Sequence, residues 1–174
     1  ITKMPSNAPT SGIANYVHMA KGCVNGKNIK LYKNKSVKEC AIICDNTPSC
    51  KGFEYGVSYG GQGRYVTGDC QPQSSNNTRN CSGKYHNLDF YKRKYNHIVG
   101  GCVNGKNIKL YKNKSVKECM AICNNTPRCK GFEYGVSYGG PGRYVKGDCQ
   151  PQSSNNTRNC KGKYHNLDFY SRAS

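Results

Sequence analysis

Twelve cysteines are the feature that most constrains the fold of this chain, which has 174 residues. They form two sets of six with the same spacing, one from Cys23 to Cys81 and the other from Cys102 to Cys160. So many cysteines in so short a chain indicate an oxidised, secreted protein whose thin core depends on disulfides. The paired C-x2-C elements of zinc sites do not occur, so we predict no metal and no cofactor.

The spacing repeats because the chain contains one unit twice. Gly22–Arg93 recurs as Gly101–Arg172 at an offset of 79 residues, with differences at eight of 72 positions. The differing pairs are Ala41/Met120, Ile42/Ala121, Asp45/Asn124, Ser49/Arg128, Gln62/Pro141, Thr67/Lys146, Ser82/Lys161 and Lys92/Ser171. We therefore expect an irregular N-terminal arm over 1–21, a first repeat over 22–93, a linker over 94–100 and a second repeat over 101–174. The arm lacks the pattern of a signal peptide, so we expect a mature chain whose leader has been removed.

Local patterns predict an α+β fold for each repeat. Ser36 and Glu39 have the spacing of a capping box, so a helix is expected to begin at Val37. Thr47 precedes a proline, which disfavours the α region and should end that helix. Alternation of apolar and polar residues predicts short strands at 28–32, 52–55 and 88–91, with weaker candidates at 64–66 and 69–71. One helix packed on a small antiparallel sheet is the expected architecture.

The order of these elements resembles the PAN/apple domain family. The resemblance rests on the helix that carries Cys40 and Cys44, on the segments 50–55 and 68–70, and on the closing strand 87–91. It covers most of each repeat. It implies disulfide-rich α+β modules, and it implies a binding role, since some members of the family bind sugars and others bind proteins.

The resemblance also implies a disulfide pairing, which the spacing of six cysteines does not decide by itself. The implied pairs are Cys23–Cys81, Cys40–Cys70, Cys44–Cys50, Cys102–Cys160, Cys119–Cys149 and Cys123–Cys129. One departure from the family pattern is the longer insert Gly56–Thr67, which is rich in glycine and tyrosine.

The net charge of +18 points to an acidic partner outside the cell. Nucleic acid is disfavoured because no nucleic-acid-binding motif is present, and no apolar run is long enough for a membrane span. Extracellular glycans are the remaining natural polyanions, either acidic or sulfated polysaccharides, and galactosides are an alternative ligand class. The sequence is also compatible with a homo-oligomer.

The predicted ligand-binding residues combine cations with rings and polar groups that suit sugars. In the first repeat they are Lys30, Lys33, Lys35, Tyr59, Arg64, Tyr65, Asp69 and His86. In the second they are Lys109, Lys112, Lys114, Tyr138, Arg143, Tyr144, Asp148 and His165. The lysines lie at mixed strand parity, so a single row is not assured, and the tyrosines could equally fill the core. The sequons predict glycosylation at Asn34, Asn76, Asn113 and Asn155.

Catalysis is not expected. His86 and Asp89 are three residues apart and would point to opposite faces of a strand. We therefore predict a secreted, bivalent lectin for anionic or galactose-type glycans rather than an enzyme. Two alternatives remain open, namely a Lys/Tyr-rich adhesive or matrix protein and an inhibitor-like binder of a host extracellular protein.

Overall fold

The computed structural model of the chain describes residues 12–61, 63–81, 87–140, 142–160 and 166–173. His86 and His165, both predicted to bind ligand, lie outside these ranges. The chain divides into two units at Arg93/Lys94, which we call module 1 and module 2. Among the described helices, none is both long and apolar enough to span a bilayer.

Module 1 contains one α-helix and one four-stranded antiparallel sheet. Its elements are a 3-10 turn at Gly12–Asn15, β1 (Tyr16–Met19), α1 (Val37–Asp45), β2 (Gly52–Gly56), β3 (Cys70–Gln73) and β4 (Leu88–Arg93). The order in the sheet is β1-β4-β2-β3, with Tyr55 opposite both Cys70 and Asp89. The predicted α+β fold is therefore confirmed.

Module 2 repeats this topology. Its elements are β5 (Tyr95–Ile98), α2 (Val116–Asn125), β6 (Gly131–Gly135), β7 (Cys149–Gln152) and β8 (Leu167–Arg172), and its sheet order is β5-β8-β6-β7. The strands pair in the same register as in module 1, with every residue number higher by 79. For example, Tyr16 lies opposite Arg93 in module 1, and Tyr95 lies opposite Arg172 in module 2.

The expected arm and linker each contribute a strand. β1 lies within the segment expected to be an irregular arm, and β5 occupies most of the segment expected to be a linker. β1 pairs with β4 and β5 pairs with β8, so these two segments supply one edge strand of each sheet. The sequence does carry a signal for this, because Tyr16 and His18 recur as Tyr95 and His97 at the same offset of 79.

Both helices begin where the sequence predicts. The Ser36 hydroxyl accepts a hydrogen bond from the Glu39 N–H at 3.1 Å, and the Glu39 carboxylate accepts one from the Ser36 N–H at 2.7 Å. This reciprocal cap satisfies two backbone donors that a helix start otherwise leaves unpaired. It also lowers the pKa of Glu39, chiefly through the bond from the Ser36 N–H.

Each core is small and lies between the helix and one face of the sheet. In module 1 it contains Tyr16, Ala41 and Phe53 together with two disulfides, and Phe53 is fully buried. The structure pairs the cysteines as the family resemblance implied: Cys23–Cys81, Cys40–Cys70, Cys44–Cys50, Cys102–Cys160, Cys119–Cys149 and Cys123–Cys129. The Cys40–Cys70 bond joins α1 directly to β3.

The prediction of a half-buried strand at 28–32 is wrong in one respect. Asn28 and Tyr32 form single bridges to β3, but Ile29 and Leu31 are 39% and 41% exposed rather than half-buried. The segment lies at the outer edge of the sheet, where no second layer covers its apolar side chains. The weaker candidate at 64–66 forms no strand either.

One of the eight sequence differences lies at a buried ion pair. In module 1 the Asp45 carboxylate accepts hydrogen bonds from the Tyr16 hydroxyl at 2.7 Å and from the Arg93 guanidinium at 3.3 Å. Arg93 is only 8% exposed. Module 2 has Asn124 at the equivalent position, and its arginine, Arg172, is exposed. The charged partner is therefore present in the module where the guanidinium is buried.

We predict that Asp45→Asn destabilises module 1 by about 2 kcal/mol, because it leaves a buried guanidinium without a counter-charge. The matched change Asn124→Asp should alter module 2 by less than about 1 kcal/mol, since an exposed ion pair contributes little. Calorimetric unfolding of the full chain measures both. Equal effects of the two changes would contradict this account.

Candidate functional site

Three lysines lie on the segment that flanks the outer edge of each sheet. We call Lys30, Lys33 and Lys35 the lysine edge of module 1, and Lys109, Lys112 and Lys114 that of module 2. The Lys30 ammonium lies 5.0 Å from the centre of the Tyr32 ring, and Lys109 lies 5.1 Å from that of Tyr111. The side chains of Lys33 and Lys112 are 57% and 59% exposed. The two edges are therefore nearly identical.

Asp69 forms an ion pair with one lysine of the lysine edge, Lys33. Its carboxylate lies 3.0 Å from the Lys33 ammonium and accepts a hydrogen bond from the Val66 N–H at 3.1 Å. Asp69 is 2% exposed, so its carboxylate is used inside the module. Asp148 occupies the same position beside Lys112. The structure thus places these two predicted ligand residues behind the surface rather than on it.

The Gly56–Thr67 insert folds back over the sheet. A Cβ at Gly56 would overlap the carbonyl oxygen of Val66, so only glycine permits this close approach. The loop is also joined to β4 through the Asn87 amide, which donates to the Tyr65 carbonyl. Arg64 is exposed and lies over the Tyr65 ring at 5.3 Å, and Arg143 and Tyr144 repeat this pair.

The insert brings Tyr59 to a second group of residues, which we call the aromatic patch: His18, Tyr59, Asp89 and Tyr91. The Tyr59 hydroxyl and the His18 Nε2 both bond to Oδ2 of Asp89, the latter at 2.6 Å. The Lys21 N–H donates to Oδ1 of the same carboxylate at 3.0 Å. His18 stacks on Tyr91 with ring centres 4.7 Å apart, and Tyr91 stacks on Phe53.

The electrostatics of the patch follow from these bonds. The hydrogen bond to Asp89 is the main cause that raises the pKa of Tyr59 to about 12. Burial would raise the pKa of Asp89, but the hydrogen bonds from Tyr59, Lys21 and His18 outweigh it and lower that pKa. The patch therefore presents an ionised carboxylate beside a neutral phenol.

Sequence reasoning missed His18 because it considered His86 as the partner of Asp89. The residue that reaches Asp89 is 71 positions away, on β1. A signal was available in the sequence, because His18 precedes the first repeat and His97 precedes the second repeat at the same distance. Module 2 contains the same bonds, since His97 lies 2.6 Å from Asp168 and Tyr138 also donates to that carboxylate.

A separate buried carboxyl lies in the middle of each sheet. Glu54 accepts hydrogen bonds from the Val24 N–H at 2.7 Å and from the Gln73 amide at 3.0 Å, and it is 2% exposed. Burial raises the pKa of Glu54 to about 7 despite the opposing effects of the Val24 bond and Arg64. Glu133 in module 2 has the same partners by equivalence and a pKa of about 7.

We predict that both modules lose stability as the pH rises from about 4.5 to 7. Over this range folded Glu54 and Glu133 retain protons that the unfolded chain releases, so the slope of stability with pH is negative. At about 1.4 kcal/mol per pKa unit, the loss is about 3 kcal/mol in each module.

Denaturant unfolding at a series of pH values measures this effect. Glu54→Gln should flatten the slope for module 1, and Glu133→Gln should do so for module 2. The exposed Glu39 provides the control, because Glu39→Gln should leave the slope between pH 4.5 and 7 unchanged. A slope that persists in the Glu54→Gln/Glu133→Gln double variant would exclude these carboxyls as its origin.

Three of the four predicted glycosylation sites are exposed. Asn34 and Asn113 lie in turns with φ of 55° and 54°, Asn155 is exposed, and Asn76 is half-buried. Across the described ranges, no group of three or more His, Cys, Asp or Glu side chains is placed to hold a metal ion.

The fold defines each module as a disulfide-linked α+β unit. Models of the PAN domain match residues 24–82 and 91–174. The chain therefore belongs to the PAN domain family and carries two such domains in tandem. Its six disulfides and its PAN domains indicate an extracellular protein, and PAN domains bind proteins or carbohydrates. The comparison with curated proteins found no match.

Proposed function

We propose that this protein is a secreted, bivalent lectin that binds acidic or sulfated glycans through its two lysine edges. The proposal concerns binding and not catalysis. It is supported by the membership of a family of extracellular binding modules and by the net charge of +18. The observation that carries it is the group of lysines beside the outer edge of each sheet, two of them exposed, which is present twice with almost the same contacts.

The composition of the edge favours an anionic partner. The segment Lys27–Lys38 contains five lysines and no acidic residue. Asp69 partly neutralises Lys33, while Lys27 and Lys30 are exposed and have no acidic residue within ion-pair distance in the described structure. Each exposed ammonium attracts a sulfate or carboxylate only weakly in water, so affinity requires several of them on one ligand. A polysaccharide supplies such a ligand.

Two edges on one chain raise the affinity for long glycans. After the first module has bound, the second encounters the same polymer at a high effective concentration, and no new contact is needed. A short oligosaccharide that occupies one edge gains nothing from the second. The proposal therefore distinguishes polymers from short fragments of the same chemistry.

A protein partner is the second candidate, because apolar side chains accompany the lysines. Ile29, Leu31 and Val66 are 39%, 41% and 60% exposed, and module 2 has the same pattern. An apolar contact would be nearly insensitive to salt, whereas contact between exposed charges is screened. The dependence of affinity on salt separates the two candidates.

We predict that the double variant Lys30→Ser/Lys109→Ser binds heparin about tenfold more weakly at low salt, because one cation is lost from each edge. Isothermal titration calorimetry over a range of salt concentrations measures the affinity and its salt dependence. The unmodified chain should bind long heparin more tightly than short heparin fragments, which occupy only one edge.

The chain offers a control with the same loss of charge. Lys92→Ser and Arg128→Ser each introduce the residue of the other repeat, and neither position belongs to a lysine edge. This pair of changes should weaken binding less than about twofold. Equal weakening by both double variants would show a non-specific effect of net charge, and the absence of binding to any acidic polysaccharide would remove the proposal.

A further inference from the structure

Each repeat contains one asparagine that is followed by glycine, Asn25–Gly26 in module 1 and Asn104–Gly105 in module 2. Both pairs lie at exposed bends outside the helices and strands. Gly26 and Gly105 each have φ of 67°, and a Cβ at either glycine would meet no atom within 4 Å. The two pairs are therefore open to water.

An asparagine followed by glycine can modify itself. The glycine nitrogen loses its proton and attacks the side-chain carbonyl carbon, so that a C–N bond closes a succinimide ring and the side-chain nitrogen leaves with that proton as ammonia. Water then opens the ring at either carbonyl, which gives aspartate or, when the backbone bond breaks, isoaspartate. Nothing is oxidised or reduced. Glycine favours the attack because no side chain crowds its nitrogen.

The groups that would react are not held by hydrogen bonds. In the part of the chain that the structure describes, the Gly26 N–H donates to no acceptor and the Asn25 side chain forms no hydrogen bond. The same is true of Gly105 and Asn104 there. Ring closure therefore breaks no existing hydrogen bond at either site.

Asn28, three residues further along, has the opposite arrangement. Its side-chain oxygen accepts a hydrogen bond from the Gln73 amide at 2.7 Å. The N–H that would have to attack is that of Ile29, and it donates to the Pro72 carbonyl at 2.8 Å. The backbone N–H that follows the asparagine is also engaged after Asn34, Asn46, Asn76, Asn80, Asn107, Asn113, Asn125, Asn155 and Asn159. Residue type and hydrogen bonding thus select the same two asparagines.

The ends of the Asn25 turn are fixed, which confines the change to the turn. The Val24 N–H donates to the Glu54 carboxyl group at 2.7 Å, and the Lys27 carbonyl accepts from the Ser74 N–H at 2.9 Å. Asn25 is two residues before Lys27, where the lysine-rich segment without acidic residues begins. A new carboxylate at Asn25 would be an acidic group at the start of that segment.

We propose that Asn25 and Asn104 are sites of spontaneous deamidation, which slowly places a carboxylate beside each lysine edge. Each event lowers the net charge of +18 by one. The reaction itself does not depend on what the protein binds. Its consequence does, because weaker binding of acidic glycans by the reacted chain rests on the proposed function.

The test is incubation of the full chain in heavy-oxygen water at physiological temperature and mildly alkaline pH, followed by digestion with trypsin in ordinary water and mass spectrometry. Trypsin separates Asn25 from Asn28, since Lys27 lies between them. The peptides that contain Asn25 and Asn104 should gain heavy oxygen and yield both aspartate and isoaspartate. The peptide that contains Asn28 should remain unchanged.

Gly26→Ala should slow the conversion of Asn25 by about tenfold, because a methyl group crowds the attacking nitrogen. Asn104 in the same chain should react at its original rate, and Gly105→Ala should give the reciprocal result. Alanine at φ of 67° is strained, so Asn25→Gln provides a second variant that keeps the glycine and should show no conversion at position 25. Equal rates at Asn25 and Asn28, or no isoaspartate at either Asn-Gly pair, would overturn the proposal.

Ion exchange separates the reacted chain from the unreacted chain, and calorimetric titration with heparin compares them. The reacted chain should bind about threefold more weakly at low salt, because each edge gains a negative charge. Equal affinities of the two forms would overturn this consequence. Failure of both forms to bind heparin would count against the proposed function and would leave the deamidation sites established by mass spectrometry.

Discussion

The covalent bond between Cys40 on α1 and Cys70 on β3 is the constraint on which the rest of each module depends. A module of this size buries few large side chains, and one short helix cannot cover a four-stranded sheet by packing alone. The disulfide fixes the helix over one part of the sheet, and the Cys44–Cys50 bond shapes the chain that leaves it. Cross-links of this kind contribute on the order of 2–4 kcal/mol each.

Two different surfaces occur on module 1. His18 and Tyr59 bond to Asp89 on β4, and both residues are exposed. The segment 28–35 lies at the opposite edge, outside β3, where lysines cost little because water solvates them. One surface is rich in positive charge, and the other combines rings with a carboxylate.

Much of the fold could be predicted, because the signals that place these elements are local in the sequence. A capping box, the proline after the helix and the alternation around Phe53 each act over a few residues, so the sequence is enough to place α1 and β2. The strand β1 is different, since its one signal in the sequence is the recurrence of Tyr16 and His18 at 95 and 97, and it pairs with the distant strand β4. The alternation at 28–32 was a misleading signal, because Ile29 and Leu31 lie where no second layer covers them.

The amino-acid sequence by itself determined the duplication, the dependence on disulfides, the positive charge and the order of helix and strands, since all of these are properties of composition, spacing and short-range pattern. Only the tertiary structure decided that Asp69 is internal and that Asp89 pairs with a histidine 71 residues away. These features depend on which distant segments meet, and on which side chains the surrounding chain leaves open to water, and neither is a property of any short stretch of sequence.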